Sequence, residues 1–266
     1  MKKIIVTGGS GFIGTNFINH QIKEQNDKIL NLDKLTYAGN EKNHVQFSNN
    51  EKYTFVRGSI LDESLIESIF INFKPSVLVN FAAESHVDRS IDDPDIFINT
   101  NILGTLNLIK QSLKWLDHNP SFRFIHVSTD EVYGSLKSKE NPFNENSPYK
   151  PNSPYSASKA SSDLLVRAWH KTYGLPSIIT NCSNNYGPYQ FPEKLIPLII
   201  TCCMDERPLP VYGDGKNIRD WLFVDDHCRA LDKIISNGIV GDTYNIGGNN
   251  EITNIDIVKN ICISLD

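Results

Sequence analysis

An α/β fold built on a doubly wound parallel sheet, with a smaller C-terminal region, is what this 266-residue sequence predicts, and three observations carry the prediction. Apolar runs of strand length alternate with helix-length stretches through the first 181 residues, the pattern of parallel strands joined by crossover helices. The first run opens directly into a glycine-rich turn, Thr7-Gly8-Gly9-Ser10-Gly11-Phe12-Ile13-Gly14. A later run, Ile125-His126-Val127, stops at Ser128-Thr129-Asp130-Glu131, as a buried parallel strand does when it delivers polar groups to its carboxyl end.

In chain order, strands are predicted at Lys3 to Val6, Ile29 to Leu32 closed by Asp33, Tyr53 to Arg57, Val77 to Phe81, Phe122 to Ser128 and Ser177 to Asn181. Helices are predicted over Phe12 to Glu24, Glu63 to Phe73, Pro94 to Leu116 and Pro154 to Tyr173. Right-handed crossovers bring the carboxyl ends of the strands to one edge, where Ala82-Ala83-Glu84-Ser85-His86 and Thr129-Asp130-Glu131 arrive. After residue 181 the text turns to Pro, Gly, Asn and Tyr, as in Asn184-Asn185-Tyr186-Gly187-Pro188-Tyr189-Gln190 and Pro208 to Gly215. Turn residues with interleaved aromatics and the cations Lys194, Lys216 and Arg219 predict loops that fold over a ligand. Short helices are predicted at Glu193 to Met204, Asp225 to Asn237 and Asn254 to Leu265. The expectation is a Rossmann-type domain over residues 1–181 and a smaller substrate-binding region over 182–266, interleaved with the first.

Composition narrows the partners. A net charge of −5 gives no overall attraction to nucleic acid or to an anionic membrane surface, while leaving room for a local basic site for a phosphate-bearing small molecule. The apolar stretch after Met1-Lys2-Lys3 is too short for a signal peptide or a membrane span, so a cytoplasmic location is expected. The five cysteines, Cys182, Cys202, Cys203, Cys228 and Cys262, are odd in number and contain no Cys-x-x-Cys pair. They are expected to be reduced and structural, and no metal site is expected.

Glycines at 8, 11 and 14 let the backbone approach a pyrophosphate, whose charge is met by the N-terminus of the following helix. Asp33, nineteen residues after Gly14, suits a ribose 2′-hydroxyl and repels a 2′-phosphate, which predicts NAD and not NADP. Tyr155 and Lys159, four residues apart, share a helix face. Tyrosine alone, with a pKa of about 10, is a poor base at neutral pH. An ammonium about 4 Å away at an effective dielectric of about 20 contributes roughly 4 kcal/mol, or about three pKa units before desolvation. Lys159 is therefore expected to lower Tyr155 toward a usable base. Such a pair also occurs by chance on exposed helix faces. Behind a nucleotide-binding turn it favours removal of a sugar hydroxyl proton while a nicotinamide takes the carbon-bound hydride. Asp130 and Glu131, if desolvated together, cannot both be ionised cheaply, so one would act as acid and the other as base. The alternative is a solvated turn with Asp130 as a cap.

Seven segments carry a resemblance: the glycine-rich turn, Asp33-Lys34-Leu35-Thr36-Tyr37-Ala38-Gly39-Asn40, Ala82 to Ser90, Ser128-Thr129-Asp130-Glu131-Val132-Tyr133-Gly134, Tyr155 to Ala160, Asn181 to Gln190, and Arg219-Asp220-Trp221-Leu222. Over nearly its whole length the sequence resembles the dTDP-glucose 4,6-dehydratase family of the extended short-chain dehydrogenase/reductase superfamily. The first and fifth segments belong to the superfamily at large, and the acidic pair and the later segments to the dehydratases.

The resemblance implies a redox-neutral cycle on a nucleotide-bound glucose. Tyr155, supported by Lys159, would deprotonate the 4-hydroxyl as NAD⁺ takes the C4 hydride, with Thr129 hydrogen-bonded to that oxygen. Glu131 would remove the C5 proton, Asp130 would protonate the departing 6-hydroxyl, and the hydride would return to C6. By the same comparison NAD would be met by Gly8, Gly11, Phe12, Ile13, Gly14, Asp33, Lys34, Leu35, Thr36, Ser59, Ile60, Ala82, Ala83, Ser85, Thr100, Tyr155, Lys159 and Asn185. The sugar nucleotide would be met by Ser85, His86, Thr129, Asn184, Lys194, Leu195, Pro210, Val211, Tyr212, Arg219 and Asn254, with Arg219 the partner for the diphosphate. A homodimer joined through helices near 94–116 and 154–173 is implied as well.

Ser59-Ile60 stands where the family commonly has Asp-Ile beside the adenine, which implies a weaker contact there or one made through water. Relatives are expected to continue for several dozen residues past the equivalent of Asp266. The rival readings are a 4-epimerase or decarboxylase on the same scaffold, against which the Asp130-Glu131 pair speaks, and a non-catalytic dinucleotide-binding module, against which Thr129, Tyr155 and Lys159 speak.

Overall fold

The computed structural model describes residues 1–136, 140–211 and 213–265. Ten strands run in chain order: β1 (Lys3–Thr7), β2 (Lys28–Asp33), β3 (Tyr53–Arg57), β4 (Val77–Asn80), β5 (Arg123–Thr129), β6 (Ser177–Cys182), β7 (Asn184–Tyr186), β8 (Ile218–Phe223), β9 (Thr243–Ile246) and β10 (Glu251–Thr253). Seven of them form one sheet in the order β3-β2-β1-β4-β5-β6-β9, and every pairing in it is parallel. The strand order reverses between β1 and β4, the place where a doubly wound sheet opens a ligand crevice. A second sheet, β10-β8-β7, joins β8 to β7 in parallel and to β10 antiparallel.

The helices are α1 (Phe12–His20), α2 (Glu41–Val45), α3 (Glu63–Phe73), α4 (Val87–Asp92), α5 (Pro94–Phe97), α6 (Thr105–Trp115), α7 (Pro154–Tyr173), α8 (Leu195–Met204), α9 (Val224–Asn237) and α10 (Asn254–Leu265). Alternation along the strands divides the core in two. Ile4, Val6, Val79, Ile125 and Val127 pack with Phe17 of α1 and with Cys228, Leu231 and Ile235 of α9. Ile5, Leu78 and Phe124 point the other way, toward Ile66 and Phe70 of α3, Leu108 and Ile109 of α6 and Val166 of α7.

Two predicted helices are interrupted. α1 ends at His20 and continues as a wide π-type turn, Gln21–Gln25, stopped at Asn26 with φ of +59°. There the buried Gln21 and, beyond it, Gln25 both donate to Asp232 of α9. The helix predicted from Pro94 to Leu116 is instead α5, a π-type segment Ile98–Gly104, and α6. Widening suits Asn101, whose amide accepts from the Glu84 N–H and donates to the Glu84 carbonyl and to Ser158. The strands β7 to β10 were not predicted. β9 comes from beyond residue 181 to pair with β6 in the main sheet.

α7 is fixed at its start by a capping box. Ser153 accepts from the Ser156 N–H while Ser156 accepts from the Ser153 N–H, and Pro154 takes the first helical position, each feature favouring a start at that residue. Tyr155 thus falls in the first turn and Lys159 one turn later, facing β5.

Candidate active site

A cavity of about 390 Å³ opens at the strand-order reversal. Its floor is the glycine-rich turn, and the glycines there are a packing requirement. A Cβ on Gly8, whose φ is +70°, would lie 2.7 Å from the Ala82 nitrogen, and one on Gly14 would lie 2.4 Å from the Gly8 carbonyl oxygen. α1 begins at Gly11 with no side-chain cap, so its first amides, at Phe12, Ile13 and Gly14 along the cavity wall, are left for an anion. Asp33, at the end of β2, is held by two backbone donors, Ser10 at 2.9 Å and Leu35 at 2.7 Å. Burial raises its carboxyl above the ordinary value, and those two bonds and the charge of His44 offset part of the rise.

Of the residues expected to hold NAD, Gly8, Gly11, Phe12, Ile13, Gly14, Asp33, Lys34, Thr36, Ser59, Ile60, Ala82, Ala83, Ser85, Thr100, Tyr155, Lys159 and Asn185 line this cavity. Leu35 does not. It sits at φ +56° and turns its N–H to Asp33, acting on the cavity through that carboxylate. Ser59 lines the wall, and its hydroxyl accepts from the Leu61 N–H at 3.2 Å, closing a turn there.

The reactive groups come from β5 and α7. Thr129 ends β5, accepts from the Glu131 N–H at 3.3 Å and donates to Asp130 Oδ1 at 3.4 Å; its hydroxyl also acts on the Tyr155 phenol. Asp130 and Glu131 begin a single 3-10 turn, Asp130–Tyr133; Glu131 lines the cavity, and Asp130 lies outside the lining. Burial, then the charge of Glu131, pushes the Asp130 carboxyl up to about 6. Burial also raises Glu131, and Arg219 and Lys194 offset only part of the rise. Both carboxyls are thus shifted toward the protonated form, Asp130 with the charge of Glu131 among the causes and Glu131 with two cations opposing the shift.

Tyr155 differs from the sequence expectation. Its phenol is raised well above the ordinary value by burial, then by Glu131, and the Thr129 hydrogen bond offsets only part of this. Lys159 does not lower it, because its ammonium donates to the Val127 carbonyl at 2.9 Å and is itself pushed toward the neutral form by burial. In the chain alone, desolvation outweighs the lysine's charge.

The residues expected at the sugar nucleotide fall into two groups. Ser85, Thr129, Asn184, Lys194 and Leu195 line the cavity. Arg219 lies outside the lining on β8, opposite Ile252 of β10, yet its charge acts on both Asp130 and Glu131. Near that edge Val211 packs beside Gly215 and Ile255, following Pro210, and Asn254 starts α10 with its side-chain oxygen buried and unbonded. His86 caps α4 and faces Glu193 at 3.6 Å, outside the lining. Tyr212 lies outside the described residues.

Sequence reasoning missed Tyr37, Glu84, Gln190, Phe191 and Glu193, all in the cavity wall. Tyr37, Glu84 and Gln190 belong to segments already singled out, Phe191 falls just past one of them, and Glu193 stands at the start of a predicted helix.

Comparison with known proteins agrees with this geometry. A family model described as GDP-mannose 4,6 dehydratase matches residues 5–266. The dTDP-glucose 4,6-dehydratase of Neisseria meningitidis serogroup B is 55% identical over 271 residues, covering 100% of this chain and 76% of that protein. Among solved structures, the dTDP-glucose 4,6-dehydratase of Bacillus anthracis in complex with NAD superposes with a TM-score of 0.91 at 48% identity, covering 100% of this chain and 81% of that one. The dTDP-glucose 4,6-dehydratase of Streptomyces venezuelae with NAD and TYD bound gives 0.93 at 45% identity, covering 98% and 80%. Sequence, strand order and cavity thus lead to one place: the chain belongs to the dTDP-glucose 4,6-dehydratase family of the extended short-chain dehydrogenase/reductases.

Proposed function

We propose that the chain catalyses the NAD-dependent dehydration of dTDP-glucose to the 4-keto-6-deoxy sugar nucleotide. The observation that carries this reading is the meeting of Thr129, Asp130 and Glu131 at the end of β5 with Tyr155 and Lys159 of α7, with Thr129, Glu131, Tyr155 and Lys159 in the cavity wall. An epimerase of the same superfamily needs the tyrosine but has no task for the acidic pair.

The residues present fit NAD. The uncapped start of α1 suits the pyrophosphate, the Gly8 and Gly14 contacts leave no room for side chains in the turn, and Asp33 is fixed by two backbone donors and suits a ribose hydroxyl pair. When bound, NAD⁺ supplies the hydride acceptor for C4 and later the donor for C6, and its positive ring offsets the negative charges that hold Tyr155 up.

The chain's own residues then divide the proton work. Tyr155 takes the 4-hydroxyl proton, with Thr129 holding that oxygen by a hydrogen bond. The 4-ketone acidifies C5, and Glu131, whose ionised form Arg219 and Lys194 favour, removes the C5 proton. Asp130, whose carboxyl is pushed up to about 6, gives its proton from the protonated form to the departing 6-hydroxyl, which leaves as water. Lys194 and Arg219, both acting on Glu131, are also the cations available to the diphosphate.

Residues 182–266 serve in this reading as the sugar-nucleotide region. A homodimer through the helical stretch 94–116 and α7 is part of the proposal, supported by Ile98 and Leu103 of the first and Leu164 of the second, which are exposed. A cytoplasmic location is likewise part of it; among the described residues no helix is long and apolar enough to cross a membrane.

The test is incubation with NAD⁺ and either dTDP-glucose or UDP-glucose, followed by mass and NMR analysis of the product. Loss of one water with a C4 ketone and a C6 methyl from the thymidine nucleotide is expected. Recovery of a 4-epimer, or of unchanged sugar under conditions where NAD binds, would overturn the reading.

A further inference from the structure

Behind Lys159, on the side away from the cavity, lies a chain of buried polar groups that the mechanism above does not use. Its centre is His126 on β5, whose side chain is wholly buried. Asn80 receives the Thr7 hydroxyl at 2.6 Å on its amide oxygen, so its nitrogen is the atom that faces His126 Nδ1 at 3.2 Å. Nδ1 is thereby an acceptor. Nε2 lies 3.1 Å from the Ser162 hydroxyl, and that hydroxyl's single hydrogen goes to the Lys159 carbonyl at 2.8 Å. Nε2 must therefore carry a proton, and the imidazole is a neutral Nε2–H tautomer. Burial, then the nearby Lys159 charge, presses it toward that neutral form, and Asp163 offsets only part of this.

Asp163 shares this site. Its Oδ2 accepts from Ser128 at 2.8 Å, and its Oδ1 lies 3.3 Å from the same His126 Nε2 without completing a hydrogen bond. A carboxylate buried to 1% exposure beside a neutral histidine needs a cation. Lys159, four residues earlier on the same face of α7 and equally buried, is the cation spaced to meet it. The other groups facing Lys159 carry none: Cys182 on β6 is pushed to about 12 and stays a thiol, and His126 on β5 is neutral. Tyr149, ahead of α7, faces Asp163 as an uncharged phenol, and Tyr155 on α7 is likewise protonated before turnover, with Asp130 and Glu131 facing it.

We propose that Asp163 is a positioning residue for the Tyr155–Lys159 pair: fixed between Ser128 and the Nε2–H edge of His126, its buried carboxylate holds the ammonium charge of Lys159. The same carboxylate ties Ser128, the neighbour of Thr129, to α7, so one side chain sets both the charge behind the tyrosine and the register of the two elements that form the site. This deepens the proposed function, because it takes Tyr155 and Lys159 as the proton-transfer pair.

The test reads Lys159 directly. In full-length protein carrying isotopically labelled lysine, the side-chain NMR signal of Lys159, assigned by its loss in Lys159→Met, is followed against pH. In the parent chain Lys159 is expected to be charged near neutral pH, and in Asp163→Asn its titration should move down by about one to three pH units. The alkaline limb of kcat/KM for dTDP-glucose should move down by the same amount, which lost packing alone does not produce. A neutral Lys159 in the parent chain overturns the proposal whether or not the variant folds, and so does an unmoved Lys159 signal in a folded Asp163→Asn. A shifted signal without turnover of dTDP-glucose would leave this proposal standing and count against the functional reading instead.

Discussion

Arg89 lies over the Tyr37 ring, 3.7 Å from its centre, and reaches Glu193 at 3.3 Å. One guanidinium thus joins three segments at the cavity: the loop after β2, the start of α4 and the loop before α8. Tyr37 and Glu193 both line the wall, so the stack holds two sides of the opening together. Arg89→Ala should weaken NAD binding about fivefold, the equivalent of about 1 kcal/mol for a cation over an aromatic face. Titration of the purified protein with NAD⁺ checks it, and unchanged affinity would mean that the stack is only surface packing.

The acidic pair predicts a division of kinetic effects. Asp130→Asn should slow loss of water about 10²- to 10⁴-fold while leaving C4 oxidation much less affected. Rapid-quench analysis of a single turnover separates the two steps, and equal slowing of both would remove Asp130 from the role of acid.

Glu131→Gln should suppress exchange of the C5 hydrogen. In deuterated water the parent chain is expected to place solvent deuterium at C5 of its product, and the variant to do so about 10²- to 10⁴-fold more slowly. Undiminished uptake would assign the base elsewhere.

Asp130 also leaves a mark on stability. Its folded carboxyl titrates near 6, above the ordinary 3.8, so the folded chain holds this proton more tightly than the unfolded one. The contribution to stability is full below the unfolded value and is lost as pH rises through about 6. Asparagine has no such dependence. Relative to the parent, Asp130→Asn should therefore gain about 1 to 3 kcal/mol between about pH 4 and about pH 8. Urea denaturation at both pH values is the check, and a constant difference would contradict the raised carboxyl.

Gly14→Ala probes the cradle. The new methyl would sit 2.4 Å from the Gly8 oxygen and 2.7 Å from the Gly9 Cα, atoms of the backbone that must move together. A stability loss of about 1 to 3 kcal/mol is expected, with NAD no longer carried through purification. A thermal melt and the cofactor content of the pure protein test the two halves separately.

The nucleotide-binding half was legible because its signals are local: three spaced glycines, apolar strands buried on both faces, and an acid at the end of β2. The acidic pair was legible as chemistry but not as shape, since nothing in Ser128 to Gly134 says that the strand gives way to a 3-10 turn at Asp130. β7 and β10 escaped because each is three residues long and lacks buried apolar alternation. Asn101 escaped for another reason: its partner, the Glu84 backbone, lies 17 residues away, and widening the helix to reach it leaves no periodic trace. The acidity of Tyr155 was misjudged because a sequence shows which charge stands nearby and not how much water has been taken away.

β9 docks beside β6, whose six residues are all buried, and this has a consequence for biosynthesis. Until Ile246 has left the ribosome, the outer edge of β6 stands bare, with unpaired amides and carbonyls on an apolar strand. A nascent chain paused before that point displays a template for pairing with another copy, so slow translation between Cys182 and Thr243 should favour inclusion bodies over native enzyme.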